Sequence, residues 1–432
     1  MIISNGQMMR WWIFTSVYMS KYCPLPFIHI SSTNDGNYRV CCYSEETAIT
    51  KPDGTAYNMR TDKITDVWHS DFYKQLRSDL SNGIENPACT TCWKHEAAGV
   101  FSKRQQTLNE LKDFYTEGVT EPVPTMLDIK VGSLCNLKCI TCYPGASSQH
   151  QVEVDQWRKQ GVELPGLIKL FDSRLKKLDI DIHDYNPRNV NIKQVIDNLD
   201  DSLKVAKELS LVGGEPLVNP LAHALIDHCV NQGYANDMMI TMITNLSSLN
   251  PKLLDQLKQF KHPMLMVSYD HVDQRKFEFI RYPADYTTFY VNLKLLMQYP
   301  IEVKLSTTLS IFNIFDLADI LNHFEHLSTR YSGRFIINFQ YVMYPDYFSI
   351  KYLTQEQKQE VADIVDKFIK RNEKYKIFRD NPDMLQLVQS INNYMNSDIV
   401  DYDNVVAERT RVLELYDKTR TTDYRKLFNK LG

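Results

Sequence analysis

A chain of 432 residues that is 43% hydrophobic and 24% charged has a globular composition and the length for two or three domains, which excludes disordered and collagen-like classes. Its formal charge of −4 argues against a general polyanion-binding surface, so no nucleic-acid partner is expected. Nine cysteines without a cleavable signal point to a reducing, cytoplasmic setting, where thiols serve metals or catalysis more often than disulfides.

The first apolar stretch, Trp11 to Met19, is interrupted by Thr15 and Ser16 and is too short to span a bilayer. No small-residue cleavage signature precedes Cys23. No membrane association is expected, and residues 1–18 read as an upstream extension. Residues 19–121 form the first expected unit. It carries Cys23, then Gly36-x4-Cys41 with Cys42 adjacent, then Cys89-x2-Cys92. Four thiolates would close a metal site completely, and four cysteines that include a C-x2-C suit either a cubane cluster or zinc. Cys41 fits the spacing better than Cys42, although either can be the ligand.

From 122 to 350 the chain alternates short apolar runs with helical patterns. The predicted strands are Met126 to Val131, Glu208 to Val212, Met239 to Thr244, Leu265 to Ser268, Val303 to Leu309 and Phe335 to Val342. Between them a helix is predicted over 191–207 on Val195, Ile196, Leu199, Leu203 and Val205. Another carries Leu221, Leu225, Cys229 and Val230 before Gly233, a C-terminal stop, with Cys229 as core packing. Leu253, Leu254 and Leu257 follow Pro251, which suits a first helical turn. Leu317, Ile320, Leu321 and Phe324 follow Asn313, a candidate N-cap. Strands alternating with helices predict parallel βα units. Six are too few for an eight-fold barrel, so the expected fold is α/β: a partial (β/α)6 TIM barrel with its working face where strands end and helices begin. Thr354 and Gln357 form a capping-box pair, and residues 351–432 read as a helical C-terminal region. Tyr341, Tyr344 and Tyr347, at or beyond the last strand, are candidates for substrate contact.

Two motifs stand at strand ends. After the first strand, Gly132 to Pro144 (GSLCNLKCITCYP) holds Cys135, Cys139 and Cys142 in a C-x3-C-x2-C array. Three thiolates on one tight loop can hold three irons of a cubane [4Fe-4S] cluster and leave the fourth open to an outside ligand. A structural zinc site is normally closed by four ligands, and a C-x-x-C redox pair would not need the third cysteine. After the second strand come Gly213, Gly214, Glu215 and Pro216. Two glycines allow the backbone to approach a ligand closely, and an acidic group beside them can accept from an ammonium.

Together these motifs resemble the radical S-adenosylmethionine (radical SAM) enzymes, whose hallmark is that cysteine loop followed by a GGE-type turn on a partial barrel. The resemblance covers roughly Thr125 to Pro345. It implies that Cys135, Cys139 and Cys142 ligate a cluster whose open iron binds the methionyl amine and carboxylate of S-adenosylmethionine. Reductive cleavage would then give a 5′-deoxyadenosyl radical that abstracts hydrogen from a substrate. Gly213, Gly214, Glu215 and Pro216 would hold the methionyl amine, and Thr244 and Asn245 after the third strand would line the site. Ser268 or Asp270 after the fourth would bond the ribose, and Arg281 in the run FIRYP would pair with the methionyl carboxylate. The family usually has an aromatic residue just before the third cysteine. Here that position is Thr141, and Tyr143, after the cysteine, is the aromatic candidate on the loop.

The upstream cysteines resemble the SPASM and Twitch auxiliary-cluster modules of the same enzymes, which usually follow the barrel. The words CPLPFIHI and CTTCWKHEAAG are also similar to a Twitch-containing group found in bacteria and phages. The resemblance implies a second [4Fe-4S] cluster for electron transfer or redox balance and a reductant such as flavodoxin or ferredoxin. The implied substrate is a peptide or protein side chain, or a small metabolite or sugar. No general acid or base is assigned. The reading from another class is a non-catalytic iron-sulfur or zinc scaffold.

Overall fold

The computed structural model describes residues 21–44, 48–97, 102–112, 115–178, 181, 182, 186, 189–331, 335–372 and 382–431. The extension expected at residues 1–18 lies outside them. All six predicted strands form, and two unpredicted ones join them in a single sheet. In chain order the strands are β1 (His29–Ser32), β2 (Tyr38–Arg39), β3 (Met126–Lys130), β4 (Glu208–Val212), β5 (Met239–Thr244), β6 (His262–Ser268), β7 (Glu302–Leu309) and β8 (Phe335–Tyr341). Their order across the sheet is β2-β1-β3-β4-β5-β6-β7-β8. Only the β1–β2 pair is antiparallel; β1 runs parallel to β3, with His29 opposite Met126 and Ser31 opposite Asp128. The N-terminal cysteine region is thus joined edge to edge to the barrel. β6 begins three residues earlier than predicted, because Pro263 lies near the strand's start, where a missing N–H is tolerated.

Alternation explains which face is which. On β4 and β5, Leu209, Leu211, Ile240 and Met242 are buried, while Ser210, Val212, Thr241 and Ile243 between them are partly or fully accessible. Period-two patterning therefore gives the sheet a sealed helix-covered side and an open concave side. Ile243 stays 37% exposed in the middle of the sheet.

Most predicted helices form, for the predicted reasons. Asn191 caps Ile192–Leu203, accepting from the Gln194 N–H. That helix stops at Leu203, short of 207, and leaves Val205 exposed. Pro220–Asn231 is followed by Gly233 at φ +78°, a left-handed stop suited to glycine, and Cys229 is fully buried. Thr354 and Gln357 exchange both capping-box bonds at the head of Gln355–Asn372. Asn313 is a correction. Its amide does not cap Leu317–Arg330; it accepts from the Ser310 N–H and donates to the Asp270 and Thr308 carbonyls. Three backbone partners satisfy the buried Asn313 amide in place of one cap bond at the helix start. The tail forms Pro382–Met395 and Tyr402–Arg420. One apolar core runs from Cys23 to Phe428, so all three regions share it. Among the described residues no helix is long and apolar enough to cross a membrane.

Candidate active site

The cysteine loop is held on three sides. The Val131 N–H donates to the Val212 carbonyl at 2.9 Å as β3 ends, and Gly132 turns the chain at φ +100°. The Ser148 N–H bonds the Ser133 carbonyl at 2.7 Å, and the Cys135 N–H donates to Ser148 Oγ at 3.2 Å. On the far side, the Lys138 and Ile140 N–H groups each donate at 2.8 Å to the carbonyls of Tyr282 and Ile280. Leu137 and Ile140 are buried between the cysteines, while Cys135, Cys139 and Cys142 are each partly exposed. Apolar residues thus anchor the loop and leave the thiols accessible. Burial pushes all three thiols up, Cys142 to about 12, with Arg281 acting the other way on Cys139 and Cys142. Binding metal there must therefore release protons.

The glycine turn is clamped onto this loop. Gly214 has φ +52°, and a Cβ on it would lie 2.2 Å from the Leu134 carbonyl oxygen. The Glu215 N–H donates to that same oxygen at 2.8 Å. Only glycine allows this approach. Gly213, at φ +89°, is approached by Asn34 of the N-terminal region, whose Oδ1 would be 2.5 Å from an added Cβ. Glu215 is buried. Its carboxylate accepts from Thr244 Oγ1 at 2.7 Å, the Asn245 N–H at 2.6 Å and the Leu217 N–H at 3.0 Å. Burial nonetheless raises its carboxyl to about 6, against those three donors. Pro216 begins the short turn that follows.

The remaining candidates converge on the same edge. Asn245 Nδ2 lies 3.9 Å from Cys135 Sγ and donates to Asn136 Oδ1 at 3.1 Å. Arg281 Nη1 is 4.0 Å from Cys139 Sγ, and Nη2 pairs with Asp270 Oδ2 at 2.7 Å. The other Asp270 oxygen accepts the Thr308 N–H at 2.8 Å. Arg281 is thus held by Asp270 through Nη2, while its buried Nε has no hydrogen-bond partner among the described residues and leaves a donor for a carboxylate. Ser268 lies on the accessible face in register with Ser306. Tyr143 packs edge-on against Phe171 with centroids 5.3 Å apart. Beyond β8, Tyr341 stacks on Tyr394 at 3.8 Å and Tyr347 is buried, so only Tyr344 of that trio is exposed.

The upstream cysteines also converge. Cys23, Cys41, Cys89 and Cys92 line one cavity together with Lys103 and Arg104. Cys42 is exposed and does not line it. Burial pushes the four lining thiols up, Cys89 to about 12. The buried Arg104 guanidinium grips Glu96 at 2.9 and 2.8 Å and the Tyr22 carbonyl at 2.9 Å. Sequence reasoning missed Arg104 and Asn34, which have no local motif, and gave no role to Glu96, which lies within CTTCWKHEAAG. Among the described residues no three His, Cys, Asp or Glu side chains are drawn together closely enough for a single metal ion. The donor chemistry, soft thiols in sets of three and four, fits iron-sulfur clusters.

Two family models match the chain: the radical SAM superfamily over residues 129–327 and an iron-sulfur cluster-binding domain, SPASM, over residues 23–93. No curated protein matches. Among solved structures, Streptococcus suis SuiB bound to S-adenosylmethionine is similar at 14% identity and TM-score 0.31, covering 71% of this chain and 66% of that one. Native anSMEcpe with bound AdoMet is similar at 15% identity and TM-score 0.34, covering 56% of this chain and 60% of that one. The chain therefore spans less than two thirds of the length of these two structures. The superfamily's cofactors are a [4Fe-4S] cluster and S-adenosylmethionine, and the SPASM module adds iron-sulfur of its own. With the three-cysteine loop inside one matched region and four converging cysteines inside the other, the chain carries a radical SAM domain over residues 129–327 and, ahead of the barrel, a SPASM-type iron-sulfur domain over residues 23–93.

Proposed function

We propose that this protein is a radical SAM enzyme that takes hydrogen from a peptide or protein side chain laid against the concave face of the sheet. One observation carries the reading: the Gly214 turn is pressed against Leu134 of the cysteine loop. The two halves of a cluster-and-cofactor site, distant in sequence, are thereby joined at backbone contact. When bound, the cluster and S-adenosylmethionine supply one-electron cleavage of the sulfonium to methionine and a 5′-deoxyadenosyl radical. Cys135, Cys139 and Cys142 act as the three ligands. Gly213 to Pro216 present the methionyl amine with backbone acceptors, and the buried Glu215 locks that turn to Thr244 and Asn245. Ser268 is the better ribose contact, since both Asp270 oxygens are engaged. Arg281 holds a positive charge beside Cys139.

Cys23, Cys41, Cys89 and Cys92 hold a second, fully ligated cluster for electron transfer, with Cys42 outside the set. A low-potential donor such as flavodoxin or ferredoxin supplies the electron. The accessible positions Ser210, Val212, Thr241 and Ile243 on the concave face support the reading of an extended substrate. The test is anaerobic reconstitution with iron and sulfide, reduction with dithionite and addition of S-adenosylmethionine. Release of 5′-deoxyadenosine is expected. A reconstituted, reducible protein that releases none, even with candidate peptides, would instead be a scaffold.

A further inference from the structure

The C-terminal helix Tyr402–Arg420 ends in a charge that reaches the cysteine loop from behind. The Arg420 and Glu153 side chains are each only 2% exposed. Arg420 Nε and Nη2 grip the two Glu153 oxygens at 3.0 and 2.6 Å. Glu153 also takes Lys138 Nζ at 2.9 Å, and Lys138 stands between Cys135 and Cys139 in the loop. Burial pushes the Glu153 carboxyl up, but Arg420 and Lys138 hold it below the ordinary range, so it is charged. The Arg420 guanidinium lies over the rings of Tyr416 at 4.0 Å and Tyr282 at 5.2 Å. Lys138 Nζ lies 5.3 Å from the Tyr282 ring, and the Tyr282 carbonyl in turn accepts the Lys138 N–H. His150, bonded to the Tyr416 hydroxyl at 3.1 Å, adds no charge, since burial and the neighbouring Arg420 push it down to about 3.

Two cations and one carboxylate leave one positive charge in excess. Arg420 shares Glu153 with the partly exposed Lys138, and its Nη1 is buried without a hydrogen-bond partner among the described residues, which is costly for a charged group. Burial raises the Cys139 and Cys142 thiols, and Arg420, after Arg281, is one of the lesser influences that lower them. Three thiolates around a cluster would supply the missing negative charge.

We propose that Arg420 is a positioning residue that tunes the barrel cluster: the C-terminal helix sets a buried positive charge behind the loop and makes the cluster easier to reduce. The proposal rests on Cys135, Cys139 and Cys142 being cluster ligands. A one-electron reduction adds negative charge, which a fixed nearby cation favours. Glu153 moderates the same effect with the opposite sign. Removing either charge should therefore move the potential in opposite directions, whereas a purely mechanical clamp would not distinguish them.

The experiment is an EPR-monitored redox titration of the full-length protein, reconstituted with iron and sulfide, with its iron content and melting curve recorded. Arg420→Met should lower the reduced-to-oxidised ratio at the wild-type midpoint about tenfold, a shift of about 59 mV for a one-electron couple. Arg420→Lys should stay near wild type. Glu153→Gln should move the midpoint upward, and the Arg420→Met/Glu153→Gln double variant should return close to wild type. If Arg420→Met does not retain iron, the Glu153→Gln upward shift still decides. Unmoved midpoints, or midpoints that all move the same way, in iron-loaded variants would overturn the inference. A wild-type cluster whose EPR signal ignores S-adenosylmethionine would instead overturn the cofactor reading beneath it.

Discussion

The two cysteine groups are built from the same parts and differ in access. Upstream, Cys23, Cys41, Cys89 and Cys92 come from three separated segments and face inward on one cavity, with Cys23 and Cys92 buried. In the barrel, Cys135, Cys139 and Cys142 come from a single loop, all partly exposed, with the glycine turn and Arg281 beside them. Each group is backed by a buried arginine that grips a glutamate through Nε and Nη2, Arg104 with Glu96 and Arg420 with Glu153. Four converging thiols leave nothing for an outside ligand, whereas three on an exposed loop leave one direction open. On the proposed ligand sets, the same donor chemistry would yield a closed centre in one place and a reactive one in the other.

Substitutions in the open centre should break this contrast most severely. Cys139→Ala is expected to abolish 5′-deoxyadenosine release and cost about four irons per chain, leaving the upstream centre loaded. Iron analysis with product chromatography reads both effects. Gly214→Ala comes next, because its Cβ would meet the Leu134 carbonyl at 2.2 Å. A loss of at least about 2 kcal/mol in urea unfolding is expected, together with weakened S-adenosylmethionine binding. Gly233→Ala is the matched control, also at positive φ but with nothing within 4 Å, and should cost only about 1 kcal/mol.

In the closed centre, Cys89→Ala should remove the upstream metal while the barrel cluster still cleaves S-adenosylmethionine. Cys42→Ser should leave the iron content unchanged; a loss equal to that of Cys41→Ser would place Cys42 in the ligand set. The smallest effect concerns protons. Glu215 has its carboxyl raised from 4.5 to about 6, so the folded apoprotein holds a proton that the unfolded chain has released between those pH values. Stability should fall by about 2 kcal/mol as pH rises through that window and level off above it. The difference in unfolding free energy between wild type and Glu215→Gln across pH 4 to about 7 checks the sign.

The parts of this architecture legible in the sequence are those coded locally. The C-x3-C-x2-C loop and the Gly-Gly-Glu-Pro turn are short and contiguous, and the structure brings them into contact. The six barrel strands announced themselves by apolar runs, and the caps at Asn191 and Thr354 by residue type. β1 did not, since His29–Ser32 is four residues long with two serines, and its pairing with β2 and β3 is what makes it a strand. Asn313 misled because its partners lie on other elements. Arg104 and Arg420 were invisible for the same reason: each meets the surroundings of its cysteines only through the tertiary fold.

The most direct test of the open-versus-closed contrast is Mössbauer spectroscopy of the fully reconstituted protein with and without S-adenosylmethionine. One iron of the barrel cluster should change its isomer shift when the cofactor is added, while every iron of the upstream cluster stays unchanged. Spectra that are identical in both samples, or a barrel site that contains zinc, would contradict the assignment of Cys135, Cys139 and Cys142 as the ligands of an open cluster.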